Sequence, residues 1–305
     1  MMALQILTYI SLATAIIAMI TKAARYAFAP EHLRWELYPV PHEKGRAEYG
    51  GSYLEELDWW SKPRQADWFK EVVEMMAEIF LLRGVYRNNK RVWIFSFPFH
   101  FGMYLCISWL GLLLFGAALE KFGLVISAEA SGVSVIIYYL TIASGYAGLI
   151  ISCLGAIGLL IWRASDSNQK PYNSPAEFIN LSFFILTVIV TLVAQILADP
   201  AFNILRAYVG SLVTFSAADI SSIPMIIEIV LVSLLLMYIP LTRMSHFVAK
   251  YFLYHSVRWN DKPNAKGSAI EKHIEELLRQ KVNWKAPHIV TGKSWLDTIK
   301  DTKDE

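Results

Sequence analysis

Two of the seven histidines in this chain stand where an imidazole needs a reason to be. His100 sits inside the apolar run FPFHFGMYLCISWLGLLLFG, and His246 follows the apolar run IPMIIEIVLVSLLLMYIPLTRMS. A polar ring in or beside a membrane span is costly unless it is paired, and one histidine on each of two helices is the smallest set that can hold the iron of a b-type haem from both sides. With both axial positions filled by imidazole the iron has no open site, which favours electron transfer over oxygen chemistry. A satisfied core histidine at His100 and an ordinary interfacial histidine at His246 are the alternatives. Arg243 and Arg91 are placed to meet haem propionates through bidentate pairing, or to anchor the chain at the membrane surface. Glu228, 18 residues before His246 and so roughly 27 Å along a helix from it, is a candidate proton relay near the far end of the same run, or a carboxylate that reaches water there.

These residues need membrane helices to position them. The chain is 55% hydrophobic with mean hydropathy +0.39, and its apolar residues gather in five blocks near 4–20, 94–119, 133–162, 176–198 and 223–242. Each approaches the roughly 20 residues of helix that cross a hydrocarbon core. The first block lacks a basic n-region and a small-residue cleavage site, so it is expected to stay as helix one. Of the 28 Lys and Arg, all but Lys121 and Arg206 fall between helices one and two, between three and four, or from Arg243 onward. Lys and Arg are retained on the cytoplasmic side, so the expected fold is an all-α bundle of five transmembrane helices, N-terminus outside and C-terminus cytoplasmic.

The expected organisation is helix one at 1–21, a long cytoplasmic insertion at 22–92, the haem-binding helices two to five at 93–246 and a cytoplasmic tail at 247–305. Within the insertion, Asp67 is placed to cap a helix whose apolar positions Phe69, Val72, Val73, Met76, Ile79 and Phe80 recur at helical spacing. That pattern suits a helix lying on the bilayer or under a partner, or one packed on its own bundle. Trp35, Tyr38, Trp59, Trp60 and Trp68 fit an interfacial aromatic belt. A second helix is expected around 268–282 in the tail. His255 is read as a surface residue, with a second ligand role as the alternative; His32 and His42, around WELYPVP, as solvated loop residues or as neighbours of a partner or quinone entrance; His273 and His288 carry no signal.

Cys106 and Cys153 are the only cysteines, too few for an iron–sulfur cluster and without the CxxCH of covalent haem. Walker, GxGxxG and HExxH patterns are missing, and no Ser, His and Asp stand in a nucleophile-elbow context, so a redox-inert hydrolase is disfavoured. No nucleic-acid partner is expected.

The stretches PFHFGMYL and IPLTRMSH, with their histidines near the cytoplasmic ends of helices two and five, resemble the cytochrome b gamma subunit of respiratory nitrate reductase. LRWELYPVPHE, YGGSYLEELDWW and NNKRVW are more similar to the branch found in the Tmc, Hme and Dsr-type redox complexes of sulfate-reducing prokaryotes. That family carries four histidines holding two stacked b haems. By the resemblance, the other two ligands would fall at Leu110 and Glu228, neither of which is histidine here, so one haem b is expected, towards the cytoplasmic side. The resemblance further implies menaquinone as substrate, a cytoplasmic heterodisulfide-reductase-like iron–sulfur subunit as partner and a periplasmic multihaem cytochrome c as a further one, in the cytoplasmic membrane. The leading expectation is therefore a quinone-linked electron-transfer subunit; a cofactor-free membrane anchor is the alternative, and a secondary transporter is disfavoured because paired broken helices are lacking.

Overall fold

The computed structural model describes residues 2–29, 43–46, 48–49, 51, 55–62, 66–167, 170–259, 265–287 and 289–300. The expectations for Trp35, Tyr38, His32, His42 and His288 lie outside the described residues. Lipid offers no partner to a backbone amide, so an apolar run that crosses a bilayer must close its hydrogen bonds within itself. Five helices are long and apolar enough to do so: α1 (Met2–Ala27), α4 (Lys90–Lys121), α5 (Val133–Ser165), α6 (Pro175–Ala198) and α8 (Ile223–Leu241). The chain is an all-helical, multi-pass membrane protein; among the described residues pairing of β type is confined to three isolated bridges. Shorter helices are α2 (Trp68–Leu81), α3 (Arg83–Asn88), α7 (Asn203–Thr214), α9 (His246–Phe252), α10 (Ala269–Leu278) and α11 (Trp295–Lys300).

The chain divides into two units, Met1–Met19 with Met75–Ser245, and Ile20–Glu74 with His246–Glu305. In the first, close packing runs from α4 to α5, from α5 to α6 and from α6 to α8, with α7 against α4. The seam between α4 and α5 is built on small residues. A Cβ on Gly155 would lie 2.3 Å from the Phe99 backbone nitrogen, one on Gly102 2.3 Å from that of Ser152, and one on Gly148 2.8 Å from that of Cys106. With no hydrophobic drive between helices in lipid, such close main-chain approach supplies the dispersion contacts that hold a pair together. The rest of each span is dressed for lipid: Ile107, Leu114, Leu154 and Ile189 are exposed on the bundle's outside.

Turns between spans are capped rather than slack. Pro175 opens α6 behind Ser174, and Glu177 accepts from the Ser174 N–H at 3.3 Å in a capping box. The same carboxylate accepts from Arg163 Nη1 at 2.7 Å, tying the end of α5 to the start of α6. At the other end of the bundle the short helix α7, between α6 and α8 in the chain, packs against α4: Asp199 accepts from the Asn203 N–H at 2.7 Å and the Leu205 N–H at 2.9 Å, satisfying amides of its first turn.

Helix α1 belongs to the bundle through polar contacts near its start. Gln5 Nε2 donates to Ser211 Oγ at 3.0 Å and to the Ser216 carbonyl at 2.8 Å, Tyr9 donates to the Leu212 carbonyl at 2.7 Å, and Thr8 shares hydrogen bonds with Tyr208 at 2.7 Å and Ser233 at 3.1 Å. Only 17% of its most apolar window is buried, against 39% for α5 and α6.

Asp67 caps α2 as its position suggests, accepting from the Lys70 N–H at 3.1 Å. The last turn of α2 is pinned to α4, where Tyr104 donates to the Ile79 carbonyl at 2.6 Å and Trp93 Nε1 to the Leu81 carbonyl at 2.8 Å. Its apolar residues Phe69, Val73, Met76 and Phe80 nevertheless stay exposed. One end of this helix is packed on the bundle, and its apolar face is exposed. In the second unit, α10 forms within the expected tail segment with Ser268 as its cap.

The α4–α5 seam makes a sharp prediction. Gly155→Val forces a side chain onto main chain, and overpacking of this kind costs about 1–3 kcal/mol. The thermal midpoint in detergent should fall by several degrees, whereas Gly111→Ala, where a Cβ meets nothing within 4 Å, should leave it level or raise it.

Candidate functional site

His100 lies ten residues into α4, in the turn after Pro98, at the end of the bundle that also holds the close of α5, the start of α6 and the close of α8. It is half-buried, its ring edge-on to Phe99 with centroids 5.2 Å apart. Its Nδ1 is 2.7 Å from the Ser96 carbonyl oxygen, one turn back, and 3.3 Å from Ser96 Oγ. A carbonyl only accepts, so Nδ1 carries the hydrogen and Nε2 is the basic nitrogen of the neutral ring. That is the arrangement that orients a metal-bound imidazole: the far nitrogen fixed by a backbone carbonyl, the near one left basic. Trp93, Phe97 and Phe101 form a stacked aromatic ladder along the same helix, with centroids 4.8 and 5.8 Å apart.

Of the other proposed site residues, His246 and Glu228 are placed differently from the helix-end position and the water-reaching alternative given for them. His246 does not end the fifth span: α8 stops at Leu241, where Thr242 turns extended after the buried Pro240, and His246 opens α9 as an exposed residue of the second unit. The helical rise from Glu228 therefore runs only as far as Leu241, and the 27 Å spacing to His246 does not apply. Arg91 is exposed at the first turn of α4. Arg243 is exposed and its Nη1 lies 3.8 Å from Glu177 Oε1, so a carboxylate of the chain itself is its neighbour. His255, read as a surface residue, is half-buried. It lies in a π-helical segment, Leu253–Arg258, packed between the rings of Tyr251 and Trp259 at 4.3 and 5.1 Å, with Nε2 3.7 Å from Glu71.

Glu228 departs furthest from the expectation. It does not reach water: its side chain is 1% exposed, between α6 and α8. Gln195 Nε2 donates to both of its carboxylate oxygens, at 2.8 and 2.7 Å. Gln195 is itself fully buried, and its carbonyl oxygen is without a hydrogen-bond partner. The apolar cluster formed by Phe202, Leu205, Ile220, Met225 and Ile229 closes this end of the bundle around them. Leu110, the other position where the resemblance places a second ligand, points outward and is 45% exposed.

Sequence reasoning missed Gln195, although a signal exists: a polar residue near the end of the fourth apolar block and one near the start of the fifth must face each other if those helices are antiparallel neighbours. It also missed the role of Arg206. This arginine is 3% exposed; its Nε donates to Glu120 at 2.8 Å, and Nη2 to Asn203 Oδ1 at 2.7 Å and the Ile126 carbonyl at 3.1 Å. Gly116 leaves room for it, since a Cβ there would lie 2.9 Å from Arg206 Cδ. Comparison with protein-family models, curated proteins and solved structures finds no match to this chain.

The Glu228–Gln195 pair carries a stability prediction. Among the described residues Gln195 is the one hydrogen-bond donor to this buried carboxyl, so Gln195→Leu should cost about 1–3 kcal/mol, whereas Gln195→Leu with Glu228→Leu removes both halves and should recover much of it. Thermal unfolding of the two variants in one detergent checks this; a double variant worse than the single contradicts it.

Proposed function

We propose that this chain is the membrane cytochrome b subunit of a respiratory redox complex, passing electrons between the menaquinone pool and a cytoplasmic heterodisulfide-reductase-like iron–sulfur subunit. In this reading it belongs with the nitrate-reductase gamma-like cytochromes, in the branch of the Tmc, Hme and Dsr-type complexes, and resides in the cytoplasmic membrane with its N-terminus outside. The insertion and tail then face the cytoplasm, where the iron–sulfur partner would dock, and a multihaem cytochrome c would meet the opposite face. The uneven spread of Lys and Arg supports that orientation. Of the two basic residues assigned to the outer side, Arg206 is neutralised by Glu120.

One haem b would be held by His100 and His246, and it supplies a one-electron couple with no open coordination site. The observation that supports this reading is the 2.7 Å bond between His100 Nδ1 and the Ser96 carbonyl, a tautomer in which Nε2 would be the nitrogen that meets iron. His246 contributes the second imidazole by residue type and place in the chain. Leu110 and Glu228 support a single haem, since one faces outward and the other is committed to Gln195. Arg91 and Arg243 would offset propionate charge at the basic end, Arg243 in competition with Glu177. A cofactor-free membrane anchor is the second reading, favoured by the position of His246 beyond the last span.

Reduced-minus-oxidised absorption of the purified protein distinguishes them. The cytochrome reading expects a low-spin b-type band, with one haem per chain by pigment assay, that is lost in His100→Ala and in His246→Ala. A Ser96→Ala variant, which keeps the carbonyl, should retain it. A wild-type protein without the band overturns the cytochrome reading and leaves the anchor.

A further inference from the structure

Taken as a pair, Glu228 and Gln195 are short of one hydrogen. The Gln195 amide nitrogen is shared between both carboxylate oxygens at nearly equal distance, while the amide oxygen, equally buried, accepts from nothing. A carboxylate offers about four lone-pair sites and an amide carbonyl two, so one amino group serves this set of acceptors poorly. A single added proton changes the accounting. If the carboxyl becomes an acid, rotation of the amide about its terminal torsion sets Oε1 against one carboxyl oxygen and Nε2 against the other. The acid O–H then donates to the amide carbonyl and the amide N–H to the acid carbonyl, closing a ring in which the amide oxygen without a partner gains one. Terminal torsions of this sp³–sp² kind are broad, so the rotation is inexpensive.

We propose that Glu228 and Gln195 form a proton-binding site inside the helix bundle, in which uptake of a proton by the carboxylate exchanges a shared amide donor for a closed acid–amide pair. The step is simple: a hydronium ion delivers its proton to the carboxylate and leaves as water, and no redox partner takes part. The proposal stands without a haem.

The neighbouring groups are already committed. From α6, Asp199 bears electrostatically on Glu228, but its oxygens accept from the first turn of α7. From α5, Tyr146 donates to the Pro200 carbonyl at 3.1 Å. From α7, Tyr208 is bonded to Thr8 of α1 and to the Leu4 carbonyl, and Arg206 is paired with Glu120. On α8, Met225 Sδ lies 3.8 Å from the Gln195 nitrogen and is only a weak acceptor. Among the described residues no cation bonds to Glu228, so the charge on its carboxylate is changed most directly by a proton.

Infrared difference spectra of the full-length protein in lipid nanodiscs, between the alkaline and acid limits of its folded range, test this. The expected result is a carboxylic-acid carbonyl band that grows on acidification, shifts in heavy water and disappears in Glu228→Gln. In Gln195→Leu the band should persist but move. If Glu228→Gln fails to fold, wild-type protein with carbon-13 glutamine gives a second readout: an amide carbonyl band shifting in the same titration. A wild-type minus Glu228→Gln double difference that contains no pH-dependent carboxyl component, such a component unmoved by Gln195→Leu, or wild-type carboxyl and amide bands that do not change across the range would each overturn the proposal.

Discussion

Between Phe99 and Gly155 the main chains of α4 and α5 come so near that a single methyl group would touch a peptide nitrogen. In a medium as apolar as the side chains themselves, helices cohere where their backbones can meet, and α5 supplies a face of glycine and serine for that purpose. This contact fixes the rotation of α4 about its own axis. It turns Phe99 and Gly102 inward, leaves Leu110 facing outward, and sets the half-buried His100 beside Phe99. The imidazole's orientation is then finished by the Ser96 carbonyl, one turn back.

The same medium governs the polar groups of the bundle. A hydroxyl, amide or carboxyl within the spans must find its partner inside the protein, and here the partners come from distant parts of the chain: Thr8 with Tyr208 and Ser233, Gln195 with Glu228, Tyr238 with Asn180 at 2.7 Å. These pairs act as register marks between helices whose apolar surfaces alone would slide. They gather at the ends of the spans, where an insertion error of one turn would strand them in lipid.

Much of this architecture is legible in the residues. Five apolar runs become five helices, because length and hydropathy leave a spanning segment little choice, and Asp67 announces the helix that it caps. What could not be read depends on tertiary placement. The segment around Asn203–Thr214 is too short and mixed to declare itself a helix; it forms because Asp199 caps it and Tyr208 is drawn towards α1. His246 looked like the end of a span, but Pro240 and the extended Thr242 close α8 before it. Glu228 reads as a residue leaning towards water because the sequence shows the distance to the end of the run and not the apolar cluster of Phe202, Leu205 and Met225 that closes this end of the bundle.

Helix α1 is joined to the bundle by residues that lie far along the chain from it. Gln5, Thr8 and Tyr9 find their partners between Tyr208 and Ser233, 200 positions or more later. Closing the start of α1 onto the bundle therefore requires α7 and α8, and a chain cut before them leaves Gln5, Thr8 and Tyr9 without these partners.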